Sequence, residues 1–194
     1  MGRTGHCRQH ILDSGIGVLS CKGYNGTGVK EIVDAAGVPK GSFYNHFASK
    51  EAFVVEALEK LAAENLKIIE SYFVQGDPSP KKRLFDFFDA KYECQKEHEF
   101  KTGCLFGNLC LEMSDENDAI RTVTSNVMCR VVKLIAECLQ QAQNASELAK
   151  GVDPKELAEF IHCAWEGTIM RMKGLRDDGA YKVFRSQLDK FFIS

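Results

Sequence analysis

The stretch Thr27–Lys50, TGVKEIVDAAGVPKGSFYNHFASK, decides the fold of this 194-residue chain. Apolar residues at helical spacing indicate a short helix that begins with Thr27 as its N-cap and ends at about Ala36. Gly37 interrupts this helix, and Pro39 suits the start of a second one because its missing N–H costs nothing there. Two short helices around a glycine-containing turn predict a helix-turn-helix, a motif whose second helix enters the major groove of DNA.

The second predicted helix divides into an apolar and a polar face. Its Phe43 and Phe47 can pack against Ile32 and Val33 of the first helix. Lysine and asparagine can read base edges, serine, tyrosine and histidine can bond phosphates, and glycine lets a backbone come close to the groove. The predicted DNA-contacting residues are Lys40, Gly41, Ser42, Tyr44, Asn45 and His46. The alternative is that the aromatic residues belong to the core and the lysines are merely solvated.

The run GVPKGSFYNHFASKE, residues 37–51, closely resembles the signature of the TetR family of bacterial transcription regulators. The resemblance extends over about residues 3–60. It implies that the polar residues of the second helix contact the groove and the phosphates, whereas Asn45 falls at a variable position. It also implies a phosphate anchor at Lys50 and a further contact at Lys30.

Charge is distributed in agreement with this interpretation. Residues 1–50 contain six Lys/Arg and three acidic residues, whereas the remaining residues contain 19 basic and 24 acidic ones. A basic head (residues 1–50) followed by an acidic body (residues 51–194) suits a polyanionic partner that binds the head alone. The N-terminus has no apolar run typical of a signal peptide, and no stretch of about 18 apolar residues predicts a membrane span. We therefore expect a cytoplasmic bacterial protein associated with the nucleoid, without a membrane partner.

Helical periodicity continues through the rest of the chain, and strand signals are nearly absent. Proline and capping residues mark a turn at Asp77–Pro80, a helix start at Ser114-Asp115 and another at Asp153-Pro154. The sequence predicts an all-α fold of about nine helices. Residues 1–50 would form the helix-turn-helix DNA-binding domain, and residues 51–194 a larger helical domain for effector binding and dimerisation.

The body of the chain carries a second resemblance. GCLFGNL at Gly103–Leu109, EMSD at Glu112–Asp115 and WEGTIMRMK at Trp165–Lys173 are similar to the NemR-like subgroup of the family, whose sensing uses cysteine. The resemblance implies a sensing role for Cys104 and Lys173. Cys104 follows Gly103 at a predicted helix start, where the positive end of the helix dipole lowers the pKa of a thiol and favours its reaction with oxidants and electrophiles. The alternative is that Cys104 is a packed small residue, as we expect for most of the other seven cysteines.

Two further sets of residues follow from the helical pattern. A noncovalent apolar effector could occupy a candidate pocket among Phe87, Phe88, Phe106, Trp165 and Met170, although such aromatic residues can equally form plain core. Family resemblance implies that the last two helices pair with those of a second copy in a four-helix bundle. The predicted dimer contacts are Gly167, Thr168, Phe184 and Leu188, unless this apolar stripe serves only the monomer core.

The sequence thus predicts a repressor that binds palindromic double-stranded operator DNA as a homodimer and is released by a small molecule or an electrophile. Activation of transcription by the same fold, or a helical adaptor without DNA binding, are the alternatives. An enzyme is not expected, because the sequence has no phosphate loop, no G-x-S-x-G elbow and no metal-ligand cluster, and nothing orients Cys104 towards His98. No metal or cofactor is predicted.

Overall fold

The computed structural model describes residues 3–73 and 76–193, and these residues are almost entirely helical. The described part forms nine α-helices: α1 (Arg3–Lys22), α2 (Val29–Ala36), α3 (Lys40–Tyr44), α4 (Lys50–Tyr72), α5 (Pro80–Glu97), α6 (Leu105–Met113), α7 (Asp118–Asn144), α8 (Pro154–Leu175) and α9 (Gly179–Asp189). The predicted all-α class and helix number are confirmed.

The helices belong to two compact units. Unit 1 contains the described residues up to Glu64 together with Cys104–Val127, and unit 2 contains Asn65–Gly103 and the residues from Met128 onward. Unit 1 thus holds α1–α3, most of α4, α6 and the start of α7. None of the described helices has both the length and the apolar character that crossing a membrane requires. The domain boundary between residues 50 and 51 stays a prediction about independent folding.

An aromatic cluster fixes α3 within unit 1. Phe43 and Phe53 are completely buried, and Phe47 is nearly so. The ring centroids of Phe47 and Phe53 lie 5.0 Å apart in an edge-to-face arrangement, and those of Phe43 and Phe53 lie 5.5 Å apart. Burying one phenylalanine side chain contributes about 1.5–3 kcal/mol. The short α3 is therefore held mainly by Phe43 and by Phe47, three residues beyond its end, which both pack on α4.

Gly15 allows α1 to approach this cluster closely. A Cβ atom at Gly15 would lie 2.3 Å from Phe53 Cζ and 3.1 Å from Ile32 Cγ2. Real Cβ atoms do not come so near, so any larger residue would displace the Phe53 ring. By contrast, a Cβ atom at Gly17 would have no neighbour within 4 Å.

The helix ends confirm some predicted caps and correct others. Ser49 caps α4 by accepting a hydrogen bond from Ala52 N at 3.1 Å, and Asp153 caps α8 as predicted. Thr27 is not the cap of α2, because its hydroxyl donates to the Gly23 carbonyl oxygen at 2.6 Å. Gly28 takes that position instead.

The predicted cap of α7 at Ser114-Asp115 is also wrong. Asn117 accepts a hydrogen bond from Ile120 N at 2.9 Å, and α7 begins at Asp118. Ser114 lies at the end of α6, where its backbone N–H donates to the Cys110 carbonyl oxygen. An asparagine side chain caps a helix as well as serine or aspartate does, so the residue type alone does not favour Ser114 or Asp115 over Asn117.

Unit 2 is built around a second aromatic cluster. Phe88 lies 5.1 Å from Trp165, 5.0 Å from Phe184 and 4.9 Å from Phe87 between ring centroids. All four side chains are buried, and they join α5 to α8 and α9. Helices α5 and α9 are also connected at their surface by Arg185, which donates to Asp89 at 2.9 and 3.1 Å.

We expect two glycine-to-alanine variants of α1 to change stability in opposite directions. Gly15→Ala should lower the free energy of unfolding by about 1–3 kcal/mol, because its methyl group overpacks the Phe53 ring. Gly17→Ala should raise it by about 0.5–1 kcal/mol, because alanine favours the helix and meets no neighbour. Urea unfolding followed by circular dichroism measures both. Equal stability of the two variants would contradict the close approach at Gly15.

Candidate nucleic-acid interface

The polar face formed by α3 and by Asn45 and His46, which directly follow it, is open to solvent. Tyr44 is 53% exposed although its neighbour Phe43 is completely buried. Lys40 and Asn45 are exposed, and Ser42 and His46 are partly exposed. In the part of the chain that the structure describes, no side-chain hydrogen bond or ion pair engages any of these five. Their hydrogen-bonding groups are therefore available to an external partner.

Gly41 lies on the same face, and the fold does not require a glycine there. It is exposed within the right-handed turn of α3, and a Cβ atom would have no neighbour within 4 Å. Glycine in a helix costs about 0.5–1 kcal/mol relative to alanine. No packing contact within the chain compensates for this cost. The glycine therefore fits a role in the close approach of a partner molecule.

Lys50 has partners of its own at the start of α4. Its Nζ donates to the Tyr24 carbonyl oxygen at 2.8 Å and lies 3.8 Å from the centroid of the Tyr24 ring. The Tyr24 hydroxyl in turn donates to Glu51 Oε1 at 2.7 Å, and this bond lowers the pKa of Glu51 to about 2. Lys50 thus joins α4 to the turn after α1, and its role as a phosphate anchor stays a prediction. Lys30 is exposed on α2.

Two residues of α1 brace the helix-turn-helix from outside. His10 Nε2 lies 2.9 Å from the Ala36 carbonyl oxygen at the end of α2. The Arg8 guanidinium lies 5.1 Å from the centroid of the Phe47 ring and pairs with Glu56 of α4. Gly37 then turns the chain in a left-handed conformation, with φ 63°, into α3. Sequence reasoning missed His10, Arg8 and Tyr24, because no local pattern links residues 26 or more positions apart.

The candidate sensing residues occupy different units. Cys104 lies at a helix start as predicted, where it is the N-cap of α6; the residue is partly exposed, and its Sγ accepts a hydrogen bond from Gly107 N at 3.4 Å. It belongs to unit 1, whereas Lys173 lies in the last turn of α8 in unit 2. His98, which the sequence did not orient towards Cys104, also belongs to unit 2, where its Nδ1 bonds to the Cys94 carbonyl oxygen at 2.8 Å.

The expectation that most cysteines are buried is wrong. Only Cys138 is buried, and burial raises the pKa of its thiol to about 11. Cys7 and Cys110 are partly exposed, and four others are exposed: Cys21, Cys94, Cys129 and Cys163. These four fall on the outer faces of helices, where spacing alone did not separate them from core positions. The described residues contain no group of three His, Cys, Asp or Glu arranged to hold a metal ion.

The five residues of the candidate effector pocket are distributed over different environments. Phe87, Phe88 and Trp165 are buried against one another in the core of unit 2. Phe106 is buried in unit 1 on α6, and Met170 is 67% exposed on α8. The plain-core alternative therefore describes the three clustered aromatic residues, and the effector pocket stays a prediction.

A groove of about 390 Å³ runs between α8 and α9. All four predicted dimer residues line it: Gly167, Thr168, Phe184 and Leu188. Three of the four are already buried within the chain, and Gly167 has open space at its Cβ position. The exposed apolar surface comes from other lining residues, namely Phe160 at 57%, Met170 at 67% and Val183 at 62%. None of these three is a predicted dimer contact, because they lie beside the buried stripe, and Met170 is instead a predicted residue of the candidate effector pocket.

Comparison with known proteins identifies the family of this chain. A family model described as bacterial regulatory proteins, tetR family, matches residues 11–57. A second model, described as the C-terminal domain of tetracyclin repressor-like proteins, matches residues 80–188. The transcriptional repressor DhaR of Mycobacterium sp. strain GP1 is 36% identical over 191 residues, which cover 98% of this chain and 90% of DhaR.

Solved structures agree with these matches. The crystal structure of a TetR regulatory protein from Rhodobacter sphaeroides is 33% identical, with a TM-score of 0.90 over 95% of this chain and 98% of that one. The reduced form of Escherichia coli NemR is 25% identical, with a TM-score of 0.88 over 97% of each chain, in keeping with the resemblance of the body. Members of the family are regulators and not enzymes, and they bind operator DNA as dimers. The chain therefore belongs to the TetR family of bacterial transcription regulators.

Proposed function

We propose that the protein is a transcriptional repressor that binds a palindromic operator through α3 and is released when an effector or an electrophile acts on the body. The observation that carries this proposal is the exposed face of α3, where Lys40, Tyr44 and Asn45 have no side-chain hydrogen bond to any residue described. Such donors and acceptors, presented by a helix held on an apolar cluster, suit a major groove. The names of DhaR and NemR as repressors support repression over activation.

A second copy of the chain would set the distance between the two DNA-contacting α3 helices of a dimer. The exposed apolar residues Phe160, Met170 and Val183 line one groove, and small residues such as Gly167 would let helices approach closely. Burying this groove against its twofold counterpart would remove apolar surface from water. Two recognition helices in such a dimer would contact half-sites about 34–36 Å apart, which corresponds to one turn of DNA.

Release from DNA would require the body to favour a second arrangement. Moving a two-state protein from 99% to 1% competent takes about 5.5 kcal/mol of differential stabilisation. Covalent modification of Cys104 could supply this, because its Sγ accepts a hydrogen bond from the first turn of α6. A bulky adduct would break that cap at one end of a nine-residue helix. A noncovalent apolar effector remains the second candidate.

Gly41→Ala provides a test of the DNA-binding face. The variant should fold with unchanged or slightly higher stability, because alanine favours the helix and meets no neighbour. Its affinity for DNA from its own promoter should fall by about tenfold or more, since the methyl group would contact the DNA backbone. Gly17→Ala, equally open but on α1, is the control and should bind as the wild type does. A salt titration of gel shifts measures both, and wild-type affinity of Gly41→Ala would refute the assignment.

Val183→Asp examines the dimer groove. A carboxylate there would lose its hydration in the otherwise apolar interface, so the variant should be monomeric by light scattering at micromolar concentration. Ser186→Asp places the same charge on α9 outside the groove lining and should leave the dimer intact. A dimeric Val183→Asp protein would place the interface elsewhere.

Cys104→Ser examines the thiol switch. Maleimide or hypochlorite should release the wild type from operator DNA, and the serine variant should stay bound. A variant with serine at all four exposed cysteines (Cys21, Cys94, Cys129 and Cys163) should still be released, although it lacks the most accessible thiols. Release of Cys104→Ser as readily as the wild type would reject this site. No response of either protein would favour the noncovalent effector.

A further inference from the structure

A carboxylate of α6 holds the turn between α1 and α2. Glu112 Oε2 accepts a hydrogen bond from the backbone N–H of Asn25 at 3.0 Å, across 87 residues of sequence. Glu112 lies in the last turn of α6, and both residues belong to unit 1. The contact therefore connects the helix that Cys104 caps to the DNA-facing head.

Gly23 makes room for this carboxylate. It is buried, and its φ of 70° lies in the left-handed region that favours glycine. A Cβ atom at Gly23 would lie 2.1 Å from Glu112 Oε1 and 3.0 Å from its Cδ. The turn thus provides both a backbone donor and a space without a side chain for the same acidic group.

The opposite side of the turn is fixed to the start of α4. Between Gly23 and Asn25, Tyr24 accepts a hydrogen bond from Lys50 through its carbonyl oxygen and donates one to Glu51 through its hydroxyl. Thr27 closes the turn itself by donating to the Gly23 carbonyl oxygen at 2.6 Å. A displacement of the turn would consequently act on the first residues of α4, which follow α3 after only five residues.

We propose that Glu112 is a positioning residue for DNA recognition, which holds α3 in place through the backbone of the α1–α2 turn without contacting DNA. The inference rests on the proposed operator binding by α3. It gives α6 a direct mechanical link to the head, since one end of this helix carries the Cys104 cap and the other carries Glu112. Any change that shifts α6 would alter the hydrogen bond between Glu112 and the Asn25 amide.

The test compares variants that separate the hydrogen bond from the charge and the bulk. Glu112→Ala removes all three, Glu112→Met retains bulk in the helix, and Glu112→Gln retains an acceptor oxygen at the same position. Glu116→Ala is the matched control, because Glu116 is an exposed carboxylate that acts on Tyr24 electrostatically without a hydrogen bond to the turn. Circular dichroism and light scattering establish that each variant is folded and in the wild-type assembly.

Two measurements are made on each full-length protein: hydrogen exchange of the Asn25 amide, and affinity for promoter DNA at several salt concentrations. Glu112→Ala and Glu112→Met should exchange at least about tenfold faster at Asn25 and bind DNA about tenfold more weakly. Glu112→Gln and Glu116→Ala should exchange as the wild type does, and Glu112→Gln should also restore affinity. The slope of affinity against salt should not change in any Glu112 variant, because no phosphate contact is lost.

Unchanged exchange at Asn25 in both Glu112→Ala and Glu112→Met would overturn the proposal, since the hydrogen bond would then hold nothing. Faster exchange of the Asn25 amide combined with wild-type affinity for promoter DNA would also overturn the proposal, because the turn would then not position α3. A changed salt slope would indicate an effect on phosphate contacts instead. If the wild type binds no promoter DNA, the proposed function fails and this inference fails with it, whereas Asn25 exchange still reports on the contact.

Discussion

The packing of Phe43 and Phe47 on Phe53 is the interaction on which the DNA-facing part of the molecule depends. Helix α3 has only five residues, and isolated helices shorter than about 12–15 residues are marginal in water. Its conformation and direction must therefore come from tertiary contacts. The cluster leaves the polar face of α3 open to solvent, and Gly15 lets α1 approach Phe53 closely.

Apolar packing holds α3 down but does not fix its orientation, because hydrophobic contact is non-directional. Directional bonds add that constraint at the turn between α1 and α2. Lys50 and Glu51 reach Tyr24 from the start of α4, and Glu112 reaches Asn25 from α6. The turn between α1 and α2 is thereby held by groups that lie far apart in sequence. Through this turn, α6 can change the position of α3 without any contact with DNA.

Helices α8 and α9 contribute both to the core of unit 2 and to an exposed apolar groove. Trp165 and Phe184 face α5 and complete the aromatic core, while Phe160, Met170 and Val183 remain exposed along the groove. An apolar helix pair that is only half covered by its own chain is typical of a surface that meets another molecule. The division between core and exposed residues explains why a single apolar stripe in the sequence suggested both a dimer interface and a monomer core.

The sequence by itself determined the all-α class, the helix number and the helix-turn-helix, because periodicity, proline caps and the run at residues 37–51 are local signals. It also placed Cys104 at the start of a helix. Local hydrogen bonds decided which residues cap α2 and α7, whereas tertiary structure alone decided which cysteines are exposed and that Lys50 bonds to Tyr24. It also brought Glu112 to Asn25 across 87 residues. Such choices depend on which helix faces meet, and a periodic pattern gives the face of each helix but not its partner.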